Sequence, residues 1–497
     1  MRPSTKFVGL VLCCSLAACS SFDAPAWAQT QAPPGRPPAT RPTAADVARR
    51  NAAAQRASYQ EGGQNSAELP PPAQGPSAPG HIIEGPIPSG AEPYYVPDDQ
   101  SWHGDGPIMN GYCGPLGYGV LGGLWVRGEY LVWDMKGMYV PPLVISSTVN
   151  NIDPVDLHLN DNGDLGATSP VVILYGGERV NSDATNGWKI TAGAWLDDCQ
   201  TLGLEEDYFG LEDADDSFFR NSPTGSPILA RPFYNVLTGL ESSIVVAFPN
   251  AINGVTHRGA LDIDASTQFH GAGGRAIINL GCSNGCGTNW WNGCPQPTMG
   301  RVDLLVGYRY LRLDDSLSIV ERSTLTPGGA FNITDDFEAD NTFNGLDFGM
   351  LLKHQRGAMS VEVLSKIAIG NTRSEVTISG DTVITPTGGA AQQFVGGILA
   401  QRTNIGSYSD DEFSVVPELG LTLGYQLNPC WKLTAGYTWL YWSRVARSGD
   451  QIDRNINPDL IPEEADPPAD THLEPRFRFV HDDFWAHGLR LGVEGTW

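Results

Sequence analysis

FWAHGLRLGVEGTW, residues 484–497, is the stretch whose reading decides the rest of the chain. Successive side chains of an extended strand point to opposite sides. Trp485, Leu489, Leu491, Val493 and Trp497 therefore share one side, and Ala486, Gly488, Arg490, Gly492, Glu494 and Thr496 the other. Only His487 interrupts the apolar side. One face suits lipid and the other a polar interior, the pattern of a strand in a membrane-spanning barrel.

Such a strand resembles the closing strand of outer-membrane β-barrels, with Leu489, Leu491, Val493 and Trp497 as its insertion signal. Gly495 departs from that pattern, standing where such strands carry a second large apolar residue. Working backward, residues 431–443 and 414–427 alternate in the same way and form a hairpin turning at Asn428-Pro429-Cys430. Residues 343–353 and 360–370 form a second, turning at 354–357, and residues 301–313 a clean single strand. Residues 123–133 begin the alternation, followed by 188–197 and 201–210, although Glu206 spoils the apolar face of the latter. Residues 260–280 are long and their apolar face switches parity near 269–274, which reads as a bulge or two separate strands. This gives an all-β, antiparallel meander barrel of about ten strands, or about twelve if the region around 244–248 and 260–280 hides another hairpin.

With the final carboxylate in the periplasm, the short links at 198–200, 354–357 and 428–430 all fall on the periplasmic side. The long ones, 136–187, 211–257, 324–342, 379–413 and 447–483, fall outside, the asymmetry expected of outer-membrane barrels. The same count gathers Cys113, Cys199, Cys282, Cys286, Cys294 and Cys430 on the periplasmic side as candidate disulfide cysteines. Zinc at 282–294 is disfavoured because that cluster lacks a C-x2-C pair and an adjacent His.

The amino-terminal end divides differently. Residues 1–28 read as a signal peptide, with a basic start, a short apolar run and the small-x-small pattern Ala26-Trp27-Ala28. Cys19 in Leu16-Ala17-Ala18-Cys19 offers lipidation as the competing processing route. Residues 29–104, rich in Pro, Ala, Gln and Gly, read as a disordered periplasmic leader, and 105–497 as the barrel. Beyond the signal no run of about 18 apolar residues appears, which excludes a helical membrane protein. A net charge of −25 argues against nucleic acid. The partners expected are outer-membrane lipid and the barrel assembly machinery, with homo-oligomers left open; no cofactor is expected.

GYCGPLGYG at 111–119, RPFYNV and VAFP around Arg231 and Phe248, RVDLLVGYRYLRLDDSL from Arg301 and WKLTAGYTWLYWSRVARSGDQID from Trp431 resemble the β-barrel porin family of planctomycete-type bacteria. The resemblance covers residues 104–497 and implies a barrel fold in the outer membrane of a bacterial cell. It brings no defined catalytic or ligand residues.

The inward faces carry both signs on single strands: Arg127 with Glu129, Asp303 with Arg309, Asp347 with Lys353, Glu362 with Lys366, and Arg490 with Glu494. They read either as a channel lining or as a salt-bridged filling, since barrels of about eight strands have room only for side chains. Trp133, Tyr139, Tyr437, Trp439, Tyr441, Trp442, Trp485 and Trp497 read as interfacial girdles. The acidic segment with Asp459, Glu463, Glu464 and Asp466 and the loop 160–164 read as solvated charge rather than a calcium site, because the loop lacks the closing Glu. His481-Asp482-Asp483 with Asp335-Asp336 are the groups an enzymatic barrel would use, but no nucleophilic Ser accompanies them, and the chain is read as a non-enzyme. The expected role is porin-like passive diffusion of small hydrophilic solutes; a filled, non-conducting structural or surface-exposed barrel is the alternative, and a barrel hydrolase a distant third.

Overall fold

Alternation with period two produces long strands, and the ring they form is closed. The computed structural model describes residues 123–149, 152–160, 163, 170–197, 200–288, 295–462 and 472–497. The signal and leader expectations for 1–28 and 29–104 lie outside these residues, as do Asp161, Asn162, Asp164, Glu463, Glu464 and Asp466.

Ten strands make the wall among the described residues: β1 (Leu124–Met135), β2 (Thr185–Trp195), β3 (Leu202–Leu211, continued by Ala214–Ser222), β4 (Val255–Thr288), β5 (Pro295–Thr326), β6 (Gly329–Arg356), β7 (Met359–Pro386), β8 (Gly406–Asn428), β9 (Trp431–Ala446) and β10 (His481–Thr496). Each pairs antiparallel with the next, both pieces of β3 lying along β4, and β10 returns to pair with β1 from Trp125↔Thr496 to Met135↔Ala486. From the short turns up to Glu418↔Leu440 the described strands leave no open edge in the wall, which is what backbone polar groups in lipid require. Among the described residues no helix is long and apolar enough to cross a membrane.

Two expectations need correction. Residues 240–252 pair with Leu229–Asn235 in a hairpin at the loop-bearing end, so the twelve-strand option falls. Residues 324–342 are no loop: β5 and β6 pair from Leu325↔Gly329 down to Thr298↔Arg356.

The third correction explains the first two. β4 pairs with β5 without a break from Thr256 to Asn279, so 269–274 hold no bulge and no strand boundary. Odd-numbered residues face inward from Leu261 and Ile263 through Phe269 to Arg275 and Ile277, and the register shifts only beyond them, between Asn279 and Gly281. What inverts is the environment. In the half nearer the short turns, the outer face is apolar, with Leu346 and Met350 on β6, Ile367 on β7 and Leu421 on β8 exposed, while charges point inward. In the half nearer the long loops, Glu338, Asp340, Arg373 and Glu375 face outward, while Phe337, Ala339, Val376 and Ile378 are buried inside. A crossing needs about 9–11 residues per strand. β4 has 34 and β5 has 32, so the wall continues far beyond a bilayer as a water-exposed β-structure with its own apolar core.

That core draws on β4 to β7 together with the loop-end strands Met138–Val140, Val144–Ser147 and Leu229–Asn235 and the turn around Ile398, Leu399 and Ala400. Arg231 is buried within it, donating to Asp335 Oδ2 at 2.7 Å, and Asp335 Oδ1 accepts the N–H groups of Leu399 (2.9 Å) and Ala400 (2.7 Å).

Candidate functional site

All ten strands contribute side chains to the lumen, and its contents are stacked in layers along β5. Nearest the short turns, Arg127 contacts Glu362 at 2.9 Å and also Glu494, and Lys432 reaches the same two carboxylates at 2.8 and 3.0 Å. Arg490 Nη1 donates to Glu129 at 3.1 Å and Nη2 to Thr422 at 2.9 Å. Asp303 accepts from Arg301 at 2.7 Å and from Asn279 at 2.9 Å, and the Arg301 guanidinium lies 4.2 Å from the Trp195 ring centroid.

A second ionic band follows. Arg275 bridges Asp207 and Glu205; Lys189 sits 3.2 Å from Asp207; Lys366 sits 3.1 Å from Glu418, which also binds Arg309; Asp347 lies 3.6 Å from Arg275 and 3.9 Å from Lys366. Such long side chains fit because glycines face them. A Cβ on Gly307 would stand 2.5 Å from Arg275 Cβ, and one on Gly349 would stand 2.6 Å from Lys366 Cγ.

Above the ions lies an apolar layer: Leu131, Trp133, Phe209, Phe269, Leu311, Leu313, Phe343, Leu440, Trp442 and Phe484, all buried. Phe269 packs edge-on to Phe209 at 5.2 Å and to Phe484 at 4.8 Å, and Trp442 Nε1 donates to Thr372 at 2.8 Å. Beyond it, Arg447 is fully buried against Asp315 and donates to the Lys136 carbonyl at 2.9 Å. Asn341 closes the same level, donating to the Ala446 carbonyl at 2.8 Å and accepting its N–H at 2.7 Å. What stays open is a chamber of 220 Å³ among the two ionic bands, lined by Arg127, Glu205, Arg275, Lys353, Lys366 and Arg490 among others.

All ten charges singled out from the sequence have side chains in this interior; Asp303 pairs along its own strand with Arg301, Arg490–Glu129, Arg127–Glu494 and Lys366–Glu418 join neighbouring strands, and Arg127–Glu362 and Arg309–Glu418 reach further across the lumen. Arg127 and Glu129 pair with β7 and β10, Glu362 with β1 and β9, and Arg309 and Lys366 with β8. Lys353 borders the chamber. Sequence reasoning missed Lys189, Glu205, Asp207, Arg275, Glu418 and Lys432. Glu205 and Asp207 were obscured by the outward Glu206, and Arg275 by the apparent parity switch. Glu418 was readable, since Leu419 and Leu421 were already assigned outward.

The aromatic girdle also needs correction: Trp133 (3% exposed) and Trp442 (0%) point inward. Trp442 is adjacent to the outward Tyr441, and neighbours on a strand cannot share a face. Trp439 and Tyr441 stack at 6.3 Å, and Trp485 on His487 at 5.0 Å; Trp431 and Trp497 meet edge-on at 5.9 Å at the turn end. Gly495 opens the space for that contact, because a Cβ there would lie 2.7 Å from Trp497 Cη2. Leu489, Leu491 and Val493 lie on the exposed outer face.

Among the cysteines, Cys282 is a free, exposed thiol, which removes it from the candidate pairs, and Cys430 is disulfide-bonded. Cys113, Cys199 and Cys294, and the side chain of Cys286, lie outside the described residues. The candidate hydrolase groups do not converge: Asp335 is tied to Arg231, Asp336 accepts from Ser318 at 2.6 Å, and Asp482 and Asp483 hold Lys136 at 2.8 and 2.6 Å.

No curated protein matches the chain. Solved structures with partial similarity include the outer membrane protease OmpT from Escherichia coli, at 8% identity and a TM-score of 0.31, covering 76% of this chain and 97% of that one. A Pseudomonas aeruginosa FadL homologue matches at 8% identity and a TM-score of 0.20, covering 76% of this chain and 90% of its own. Neither likeness is strong enough to bear on function. The model of the family described as "Putative beta barrel porin-7 (BBP7)" matches residues 125–497, the whole of the ring and its extensions, and the chain belongs to that family.

Proposed function

We propose that this protein is an outer-membrane barrel with a sealed lumen, whose task is to hold a rigid β-structure at the cell surface rather than to pass solutes. The short-turn end lies in the periplasm and the long extension outside, the usual arrangement of such barrels. The observation that carries this reading is the apolar layer of Phe209, Phe269, Phe343, Trp442 and Phe484 across the lumen, backed on both sides by ion pairs. Passage of a hydrated solute would require separating buried charges, each at a cost of several kcal/mol, about what stabilises a whole domain once summed over the bands.

Passive diffusion of small hydrophilic solutes is the second reading, favoured by the porin description of the family. The two part in planar bilayers. The sealed barrel gives no discrete conductance steps, whereas steps that persist across preparations overturn it in favour of a pore. Under either reading, export through a signal peptide, insertion guided by Leu489, Leu491, Val493 and Trp497, and disulfides at the periplasmic rim belong to the proposal.

A further inference from the structure

β8 and β9 pair only as high as Glu418↔Leu440, and the β9–β10 register breaks between Trp442 and Val445, where Arg444 takes a φ of 60°. Above this point β9 parts from β8, while Val445 and Ala446 still pair with Asp482 and His481 of β10 and Arg447 just beyond them is buried against Asp315. The upper part of β8 then meets the chain entering β10 through side chains, with Tyr408 stacked on Phe477 at 3.7 Å between centroids. At this seam Asp410 and Glu412 on β8 face His481 on β10, one ligand atom from each lying within 4.8 Å of the others.

We propose that Asp410, Glu412 and His481 bind a divalent transition-metal ion of the zinc class, which clips β8 to β10 where the backbone ladder is interrupted. His481 Nε2 is sealed from solvent and has no hydrogen-bond partner. It faces Asp410 Oδ2 at 3.7 Å, too long for a hydrogen bond. Its ring is held by stacking on Phe479 at 5.0 Å, so the free nitrogen has a fixed direction. Among the described residues the carboxylates lack a strong competing cation: Arg444 approaches Glu412 to 3.6 Å with its own side chain 57% exposed, a contact worth little in water. A cation at the centre of the three groups satisfies the orphaned nitrogen and the facing carboxylates together. Closing to metal–ligand distances of about 2.0–2.2 Å asks for rotation of the two partly exposed carboxylate side chains. An imidazole with two carboxylates selects zinc-like ions over calcium or magnesium, and three protein ligands leave a position for water. The net charge of −25 favours cations near the surface generally, while the imidazole makes this position selective.

The test uses tag-free, thiol-alkylated full-length protein folded in detergent, titrated with zinc chloride in a calorimeter. The expected result is one zinc ion per chain, not displaced by equimolar calcium, with affinity at least about tenfold weaker in His481→Ala and in Asp410→Asn. Heat-modifiable gel mobility checks that each variant is folded, and Glu412→Gln replaces any that is not. No zinc uptake by the wild type, uptake undiminished in folded variants, or displacement by calcium overturns the proposal. The result is independent of whether the lumen conducts.

Discussion

Glu418 is shared by Arg309 and Lys366 inside a wall where neither cation has access to water, so its neutralisation leaves buried charge without compensation. Glu418→Gln is expected to destabilise the barrel by about 3–5 kcal/mol, read as a lower urea midpoint for unfolding from detergent. A midpoint equal to the wild type's would show that the band contributes nothing net. Asp450, at the loop end beside the buried Arg447, behaves differently. Burial, with Asp482 adding repulsion against the pull of Arg447 and Arg179, pushes its carboxyl up to about 6. The folded state thus holds this proton more tightly than the unfolded one, so its contribution to stability is greatest in acid and is lost as pH rises through about 6. Asp450→Asn is expected to flatten that slope and to raise the melting temperature at neutral pH; an unchanged pH profile would count against it. The inward charges could be read residue by residue because alternation fixes which face each takes. Their partners could not, because which charges meet between strands depends on strand order and stagger, which one sequence does not specify.

At the scale of the strand, the useful signal was the one that misled. The parity switch near 269–274 is real as a pattern but marks a change of surroundings at fixed geometry, and the same inversion runs through β6 and β7. It also hid the extension: outward residues such as Glu338 and Asp340 read as loop because they are polar where lipid-facing residues were expected. The inversion predicts a sharp boundary. A fluorophore on Leu346→Cys is expected to be quenched by brominated lipid, and one on Glu338→Cys to be quenched by aqueous iodide instead. Equal lipid quenching at both would mean that the upper strands are also embedded. The ladder between β8 and β9 was legible from Glu418↔Leu440 down to the turn, because its turn, its alternation and its aromatic residues agreed, but its end at Glu418 and Leu440 was not.

For the whole molecule, sealing is redundant. The double substitution Phe269→Ala with Trp442→Ala empties part of the apolar layer but leaves the Arg447–Asp315 plug and both ionic bands. It is expected to lower stability by several kcal/mol, on the scale of about 3–5 for one large aromatic, without producing conductance. Channel activity in this variant would place the entire seal in the aromatic residues.

Ring closure itself imposes a schedule on biogenesis. Arg127 and Glu494, which meet in the lumen, stand 367 residues apart in sequence. β1 is made first and β10 last, so every intermediate before the final residues is a curled sheet with two unsatisfied edges. Contacts of such long separation form slowly. A chain truncated before Leu489 could not zip shut, and its raw borders would invite pairing with any other unfinished strand nearby. β10 therefore acts as a completion check: the cylinder can exist only after this strand has been made and has met β1.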